Sequence, residues 1–306
     1  MPRAVRFDAY GDRDVLYVAE VEVPRAGPDH VVVAVRAAGI NPGEASIRKG
    51  MMEARFPATF PSGEGSDFAG VVTEVGSGVT GFAVGDEVLG WADTRSSHAE
   101  FVTTPVDHVT RKPVGLPWEV AGALYVVGTT AYAAVRAVDA GPDDTVVVSA
   151  AAGGVGSVVV QLLGVRGARV IGIASEANHG WLRSVGVTPV AYGDGLADRI
   201  REAAPDGVDA FIDLFGEAYV RLAVDLGVAP ARIETIIAFQ AAAEVGARAD
   251  GSATAASAGV LAEIADLVAS GRISVPIAAI YPLEQVRDAY ARLEERHTRG
   301  KIVLVP

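Results

Sequence analysis

A strand-like run, Val146-Val147-Val148-Ser149, leads into Ala150-Ala151-Ala152-Gly153-Gly154-Val155-Gly156, and a helical pattern follows over 154–166. That context suits phosphate binding. A helix start presents unbonded N–H groups and the positive end of the helix dipole. In this reading Gly153 allows the tight turn, Gly154 keeps bulk away from a pyrophosphate, and Gly156 lets helix and strand approach closely. The strict glycine fingerprint has another glycine where Ala151 stands. With Val155, these residues form a candidate dinucleotide loop; the alternative is a purely structural turn.

The next apolar run, Arg169–Ala174, ends at Ser175-Glu176-Ala177-Asn178-His179. An NAD site usually carries an acid at this strand tip to hold the ribose 2′-OH. Here the tip is Ser175, with Glu176 directly after it. Asn178, His179, Arg183 and Tyr192 are donors able to surround a 2′-phosphate, arginine being the strongest partner. The pattern points to NADPH (NADP+), and Glu176 opposes it. The plainer alternative is a helix start capped by Ser175, with Arg183 solvated. Phe215-Gly216 and Ile237-Ala238-Phe239 follow two further apolar runs. Carboxyl ends of parallel strands face the ligand crevice, so these five join the cofactor-binding candidates.

The elements that must position these residues fall into two textures across 306 residues. Up to about residue 115 the chain is β-rich. Runs at 31–37, 70–76 and 85–90 are bounded by glycine turns, as in a barrel or sandwich. From about 116 apolar runs (145–150, 168–174, 208–214, 233–238) alternate with helical patterns (154–166, 178–185, 217–226). This predicts an α/β, doubly wound parallel sheet. Residues 257–270 read as a further helix, 241–258 as loop, strand and helix start, and 301–305 as a strand.

Composition narrows the function classes. Net charge is -12, from 26 basic against 38 acidic residues. That disfavours a general nucleic-acid or membrane-surface partner. The chain has no cysteine, which removes disulfides, Cys-ligated zinc, Fe–S clusters and thiol nucleophiles. The five histidines form no metal-ligand spacing, so no metal site is expected. There is no apolar run long enough for a transmembrane helix and no signal-peptide core at the start. A cytoplasmic protein acting on a small molecule is the expectation. Only Lys49, Lys112 and Lys301 are lysines.

Further pieces occur in a fixed order: Ala37-Ala38-Gly39-Ile40-Asn41-Pro42, Gly65-Ser66-Asp67-Phe68-Ala69-Gly70-Val71-Val72, Val75-Gly76 and Phe82-Ala83-Val84-Gly85-Asp86-Glu87-Val88. Gly128-Thr129-Thr130-Ala131-Tyr132, the 150–156 loop and His297-Thr298-Arg299-Gly300-Lys301-Ile302-Val303-Leu304 follow. With them essentially the whole chain resembles the medium-chain dehydrogenase/reductase superfamily, in its zinc-independent quinone oxidoreductase branch. The resemblance implies a GroES-like β-rich catalytic domain over 1–115, completed by 277–306, and a Rossmann domain over 116–276. It also implies a homodimer.

In zinc-dependent relatives a Cys would stand at Asn41 and a His–Glu pair at Ser66-Asp67. The implied reaction is therefore hydride transfer from NADPH to a quinone or an activated C=C without zinc. The resemblance points to Asn41 near the nicotinamide and substrate, where an amide can donate to a carbonyl oxygen without titrating. Many quinone reductases carry tyrosines shortly after that Asn; Ser46 and Met52 stand there here. Ser46, Arg48 and Lys49 are the remaining polar candidates, with helix or solvated surface as their plainer readings. Met51, Met52, Phe56 and Phe60 either line an apolar pocket mouth or pack as core. Thr129 is implied at the nicotinamide carboxamide and Tyr125 near the substrate pocket, while Trp91 and Trp118 read as core. The alternatives are an enoyl reductase on a thioester or biosynthetic intermediate, and an NADPH-binding sensor or structural protein with little catalysis.

Overall fold

The computed structural model describes residues 1–306 and divides into two compact units. The first takes Met1–Val126, Ser257–Ala269 and Pro276–Pro306; the second takes Val127–Ala256 and Ser270–Val275.

The chain opens with strands β1 (Arg3–Phe7), β2 (Tyr17–Glu20) and β3 (His30–Gly39), then helix α1 (Pro42–Arg48). Strands β4 (Ser62–Gly63), β5 (Asp67–Val75), β6 (Glu87–Trp91), β7 (Phe101–Pro105) and β8 (Val109–Arg111) follow, then α2 (Trp118–Ala121) and α3 (Leu124–Ala137). Next come β9 (Thr145–Val148), α4 (Gly154–Val165), β10 (Arg169–Ala174), α5 (His179–Ser184), β11 (Thr188–Ala191), α6 (Leu196–Ala203) and β12 (Ala210–Asp213). The remainder is α7 (Glu217–Asp225), β13 (Ile233–Thr235), α8 (Phe239–Val245), α9 (Ala258–Ala269), β14 (Ile277–Pro282), α10 (Val286–Glu294) and β15 (Lys301–Val305).

In the first unit β3 is the organising strand. Its valines favour extended backbone, because two heavy atoms on Cβ restrict χ1. It pairs antiparallel with β5, β7 and β15, and it is buried almost throughout rather than on alternate residues. Val31, Val33, Val35, Phe68, Val72, Val88, Val102 and Val109 make one core. A three-stranded sheet, β2-β1-β4, carries Val5 and Phe7 into a second core with Leu283, Val286, Tyr290, Ile302 and Leu304. The β15–β3 register sets Val303 beside Gly39 and Leu304 beside Ala38. Ile40 N–H donates to Ile302 O at 3.1 Å, so Lys301 arrives next to Asn41.

The second unit is a five-stranded, all-parallel sheet in the order β11-β10-β9-β12-β13, the order of a doubly wound fold with its reversal at β9. Strands β9 and β12 are buried at every residue, as parallel strands covered on both faces require. The α/β class and the alternation of strand and helix are as the sequence predicts. Two details differ. Residues 239–245 form helix α8, and the strand-like pairing within 241–258 is an isolated parallel bridge between Glu234 and Arg248. Residues 257–269 group with the first unit, where α9 packs against β8. No helix is long and apolar enough to cross a membrane.

Candidate functional site

The glycine loop of the second unit leaves β9 at Ser149. Ala151 N–H donates to Ile173 O at 3.0 Å, which ties the loop to β10, and Gly153 N–H returns to Ala150 O at 2.9 Å. The left-handed residue of this turn is Ala150, at φ 46°, whereas Gly153 is extended at φ -71°. The turn expected at Gly153 is thus made three residues earlier, at Ala150, where the loop is tied to β10. Gly156 fits its expected role: a Cβ there would lie 2.2 Å from Ala150 O, so only glycine lets α4 begin this close to the loop. Ala151, where the strict pattern has glycine, is accommodated by Gly172 opposite, since a Cβ at 172 would stand 2.9 Å from that of Ala151.

The first amide of α4 to find a protein acceptor is that of Ser157, on Gly153 O at 2.9 Å. The amides of Gly154, Val155 and Gly156 are left at a helix start, the arrangement an anion needs. The donor set therefore fits a dinucleotide phosphate.

At the tip of β10, Asn178 Nδ2 donates to Ser175 Oγ at 3.0 Å, and His179 Nε2 donates to Ala174 O at 3.3 Å. The structure brings these three candidates together. Arg183 is exposed on α5, one turn after His179, and Tyr192 is exposed after β11. Phe215, Ile237 and Phe239 are about half exposed beyond β12 and β13. Phe215 meets Tyr219 edge-on at 5.7 Å. Gly216 adopts φ 156° and ψ 178°, a region open essentially to glycine alone. Thr129 is fully buried on α3.

The first unit holds a buried polar cluster around Asn41. Its side-chain amide is fully committed. Nδ2 donates to Glu44 Oε1 and to Asp67 Oδ2, both at 3.1 Å, and Oδ1 accepts from Lys301 Nζ at 2.5 Å. Both amide hydrogens thus point at carboxylates, so the donation to a substrate oxygen expected from sequence is not on offer in this arrangement. Glu44 also accepts from Asn41 N–H (2.8 Å), Ser66 N–H (2.8 Å) and the Tyr290 hydroxyl (3.0 Å). Lys301 Nζ reaches Ile40 O at 2.9 Å and lies 3.5 Å from Asp67 Oδ2.

Beneath this group Arg48 pairs with Glu64, and its guanidinium carbon stands 4.4 Å from the Tyr290 ring centroid. Arg48 Nε and Nη2 are buried without a hydrogen-bond partner. Three buried carboxyl groups therefore share the cluster with two cationic side chains. Burial pushes Glu64 up to about 7, against the pull of Arg48. Burial likewise pushes Asp67 up to about 6, against the pull of Lys301, with Glu44 adding to the rise. His98, donating from Nε2 to Gly39 O at 3.1 Å, is held below its ordinary range by burial.

The remaining candidates of this unit are simpler. Ser46 Oγ donates to Pro42 O at 3.2 Å, bonding back onto its own helix. Met52 is half-buried in the turn after α1. Tyr125 stacks on Trp91 with centroids 4.4 Å apart, and Trp91 stacks on His108 at 4.2 Å, so Trp91 is core.

Sequence reasoning did not single out Lys301 or Glu44, nor Asp213 at the end of β12. Two of the three left a trace: Lys301 is one of three lysines, and Asp213 is one of two acids in the otherwise apolar run 208–214.

Comparison with known proteins adds the following. Residues 27–139 match the family model described as the alcohol dehydrogenase GroES-like domain, and residues 185–304 match one described as zinc-binding dehydrogenase. The chain is 32% identical over 322 residues to the synaptic vesicle membrane protein VAT-1 homolog of Homo sapiens, covering 92% of this chain and 80% of the relative. It is 28% identical over 347 residues to the mitochondrial NAD(P)H oxidoreductase RTN4IP1 of Homo sapiens, covering 97% and 87%. The solved quinone oxidoreductase of Coxiella burnetii superposes with a TM-score of 0.87 at 28% identity, covering 100% of this chain and 99% of that one.

The zinc named in the second description does not fit the residues present. Asn41 and Asp67 stand where a relative's Cys and Glu would, and the Lys301 ammonium already lies against both. No group of three or more His, Cys, Asp or Glu side chains is disposed to hold a metal.

Proposed function

The chain belongs to the zinc-independent, quinone oxidoreductase-like branch of the medium-chain dehydrogenase/reductase superfamily, as an oxidoreductase with a nicotinamide cofactor, and on that premise we propose that it transfers hydride from NADPH to a quinone or an activated C=C. The observation that carries the reading is the loop from Ala150 to Gly156, with three amides unclaimed at the start of α4 and Gly156 packed against Ala150 O. When bound, the reduced nicotinamide supplies the hydride. The chain's own residues bind and orient it.

The preference for NADPH rests on the tip of β10. A neutral Ser175 stands there, and Arg183 is exposed one turn beyond His179, where a 2′-phosphate finds a charge-assisted partner. Phe215, Ile237 and Phe239 offer an apolar floor beyond β12 and β13. Asn41 acts by holding α1 and β15 together at the substrate end, since its donors are already taken. The proton that follows hydride addition is drawn from water, because Ser46 donates to Pro42 O and the Asn41 amide does not titrate.

Oxidation of NADPH and NADH, followed by loss of reduced-nicotinamide absorbance with ortho- and para-quinones, enones and enoyl thioesters, tests the proposal. The expected result is turnover with quinones or enones and a kcat/KM for NADPH about tenfold or more above that for NADH. Turnover confined to enoyl thioesters would move the assignment to an enoyl reductase. Saturable NADPH binding without turnover of any acceptor would replace it with a sensor or structural role.

A further inference from the structure

Asp213 closes β12, is fully buried, and gathers donors from its own strand end and from its two neighbours in the parallel sheet, β9 and β13. Its Oδ1 accepts from Ser149 Oγ at 2.8 Å, from Phe215 N–H at 2.9 Å and from Gly216 N–H at 3.1 Å. Its Oδ2 accepts from Thr235 Oγ1 at 2.7 Å. Each hydroxyl in this set is itself an acceptor for a loop. Ser149 Oγ takes Leu214 N–H at 2.8 Å, and Thr235 Oγ1 takes Ile237 N–H at 3.3 Å and Ala238 N–H at 3.0 Å. One carboxylate thus fixes the backbone of 215–216 directly, that of Leu214 through Ser149, and that of 237–238 through Thr235.

Those two loops lie at the carboxyl ends of β12 and β13, where a doubly wound sheet binds its dinucleotide. They carry the half-exposed Phe215 and Ile237. Ser149 belongs to the strand that runs into the glycine loop, so the same carboxylate also touches the root of the phosphate-binding turn. A loop that must be ordered on binding costs affinity, and a pre-ordered one does not.

We propose that Asp213 is a positioning residue for the dinucleotide: with Ser149 and Thr235 as its arms, it pre-sets the two loops that line the cofactor crevice. The proposal rests on the dinucleotide reading of the glycine loop. Four donors on two oxygens require acceptors at both positions. In Asp213→Asn the three donors on Oδ1 keep that position an oxygen, so the new NH2 faces Thr235 Oγ1. The Thr235 hydroxyl then loses its acceptor, and the turn at 237–238 loosens while 214–216 keeps its bonds.

The test is NADPH affinity by isothermal titration for the full chain and for Asp213→Asn, Thr235→Val and Thr235→Ser, with hydrogen exchange at both loops. Asp213→Asn and Thr235→Val are expected to weaken NADPH binding about tenfold, and Thr235→Ser to stay within about twofold of the parent. In the first two the amides of 237–238 exchange faster and those of 215–216 do not. In turnover the KM for NADPH rises while the KM for the acceptor holds. Folded variants that bind NADPH like the parent would overturn the proposal alone. So would a Thr235→Ser as weak as Thr235→Val, since the hydroxyl would then not be what matters. A parent that binds neither NADPH nor NADH would overturn this proposal and the dinucleotide reading together.

Discussion

Asp213 and Asp67 are both fully buried aspartates at strand ends, and they are held in opposite ways. Asp213 is surrounded by neutral donors, two hydroxyls and two backbone amides, which satisfy it without any counter-charge. Asp67 takes a backbone amide from Val126 and the Asn41 side chain, but it also faces the Lys301 ammonium and shares the cluster with Glu44, Glu64 and Arg48. A cage of neutral donors fixes geometry and transmits it to loops. A cluster of unequal charges fixes geometry too, but its stability depends on every partner and on pH, because an unmatched buried charge is costly.

The largest effect that sharpens this contrast is expected from Lys301→Met. It removes the cation between Asn41 and Asp67 while keeping the apolar stem, and should cost about 3–5 kcal/mol in equilibrium urea unfolding. A loss below about 1 kcal/mol would mean that the ammonium is not what holds the cluster.

Next in size is the response to pH. Glu64 and Asp67 have folded values near 7 and 6, above the ordinary 4.5 and 3.8. The folded chain therefore keeps protons that the unfolded chain has already released. Stability contributed by this pair is full below about pH 4, falls as pH rises, and is lost above about 7. The slope of the unfolding free energy should approach about 1.4 kcal/mol per pH unit for each such proton. Glu64→Gln, which mimics the protonated form, should flatten the upper part of that window. A parent profile that rises with pH between 5 and 7 would contradict an excess of buried carboxyl groups in this cluster.

Gly156→Ala belongs to the other region and should do less to stability and more to binding. Its Cβ would stand 2.2 Å from Ala150 O, forcing α4 away from the loop. A loss of about 1–3 kcal/mol is expected in thermal unfolding. Alongside it, NADPH binding should weaken by more than about tenfold, since the amides of α4 move. Smallest of all is Phe215→Ala. The ring is half exposed, so its removal should change stability by less than about 0.5 kcal/mol. Any weakening of NADPH binding would then report the crevice floor itself, and its absence would place the cofactor elsewhere.

The two regions were unequally legible in the sequence. The second unit is built from local repeats of strand and helix, so the glycine loop, the tip of β10 and the run 208–214 could be located from local pattern alone. Its hidden part is the hub, because Ser149, Asp213 and Thr235 meet only through the lateral register of parallel strands. The first unit hides more. Asn41 and Lys301 lie 260 positions apart, and Glu44 and Tyr290 lie 246 apart. No periodicity relates such residues; the pairing of β15 with β3 does. Asn41 was found by resemblance, but which of its atoms were free to act depended on partners that only the fold brings to it. Residues 239–245 escaped as a helix because short alanine-rich stretches fit several conformations.

That β15 supplies the cluster's lysine has a consequence for how the protein is made. About 175 residues separate Val126, where the first stretch of the first unit ends, from Lys301. At roughly 5–20 residues per second a ribosome needs on the order of 10–35 s to make them. Through that interval the nascent chain carries Glu44 and Asp67 without the cation that accompanies their burial. The second unit, nearly all of it emerging within the interval, can complete its sheet first. The opening segment of the first unit therefore completes its packing only after β15 has been made and has brought Lys301, Ile302 and Leu304 to it.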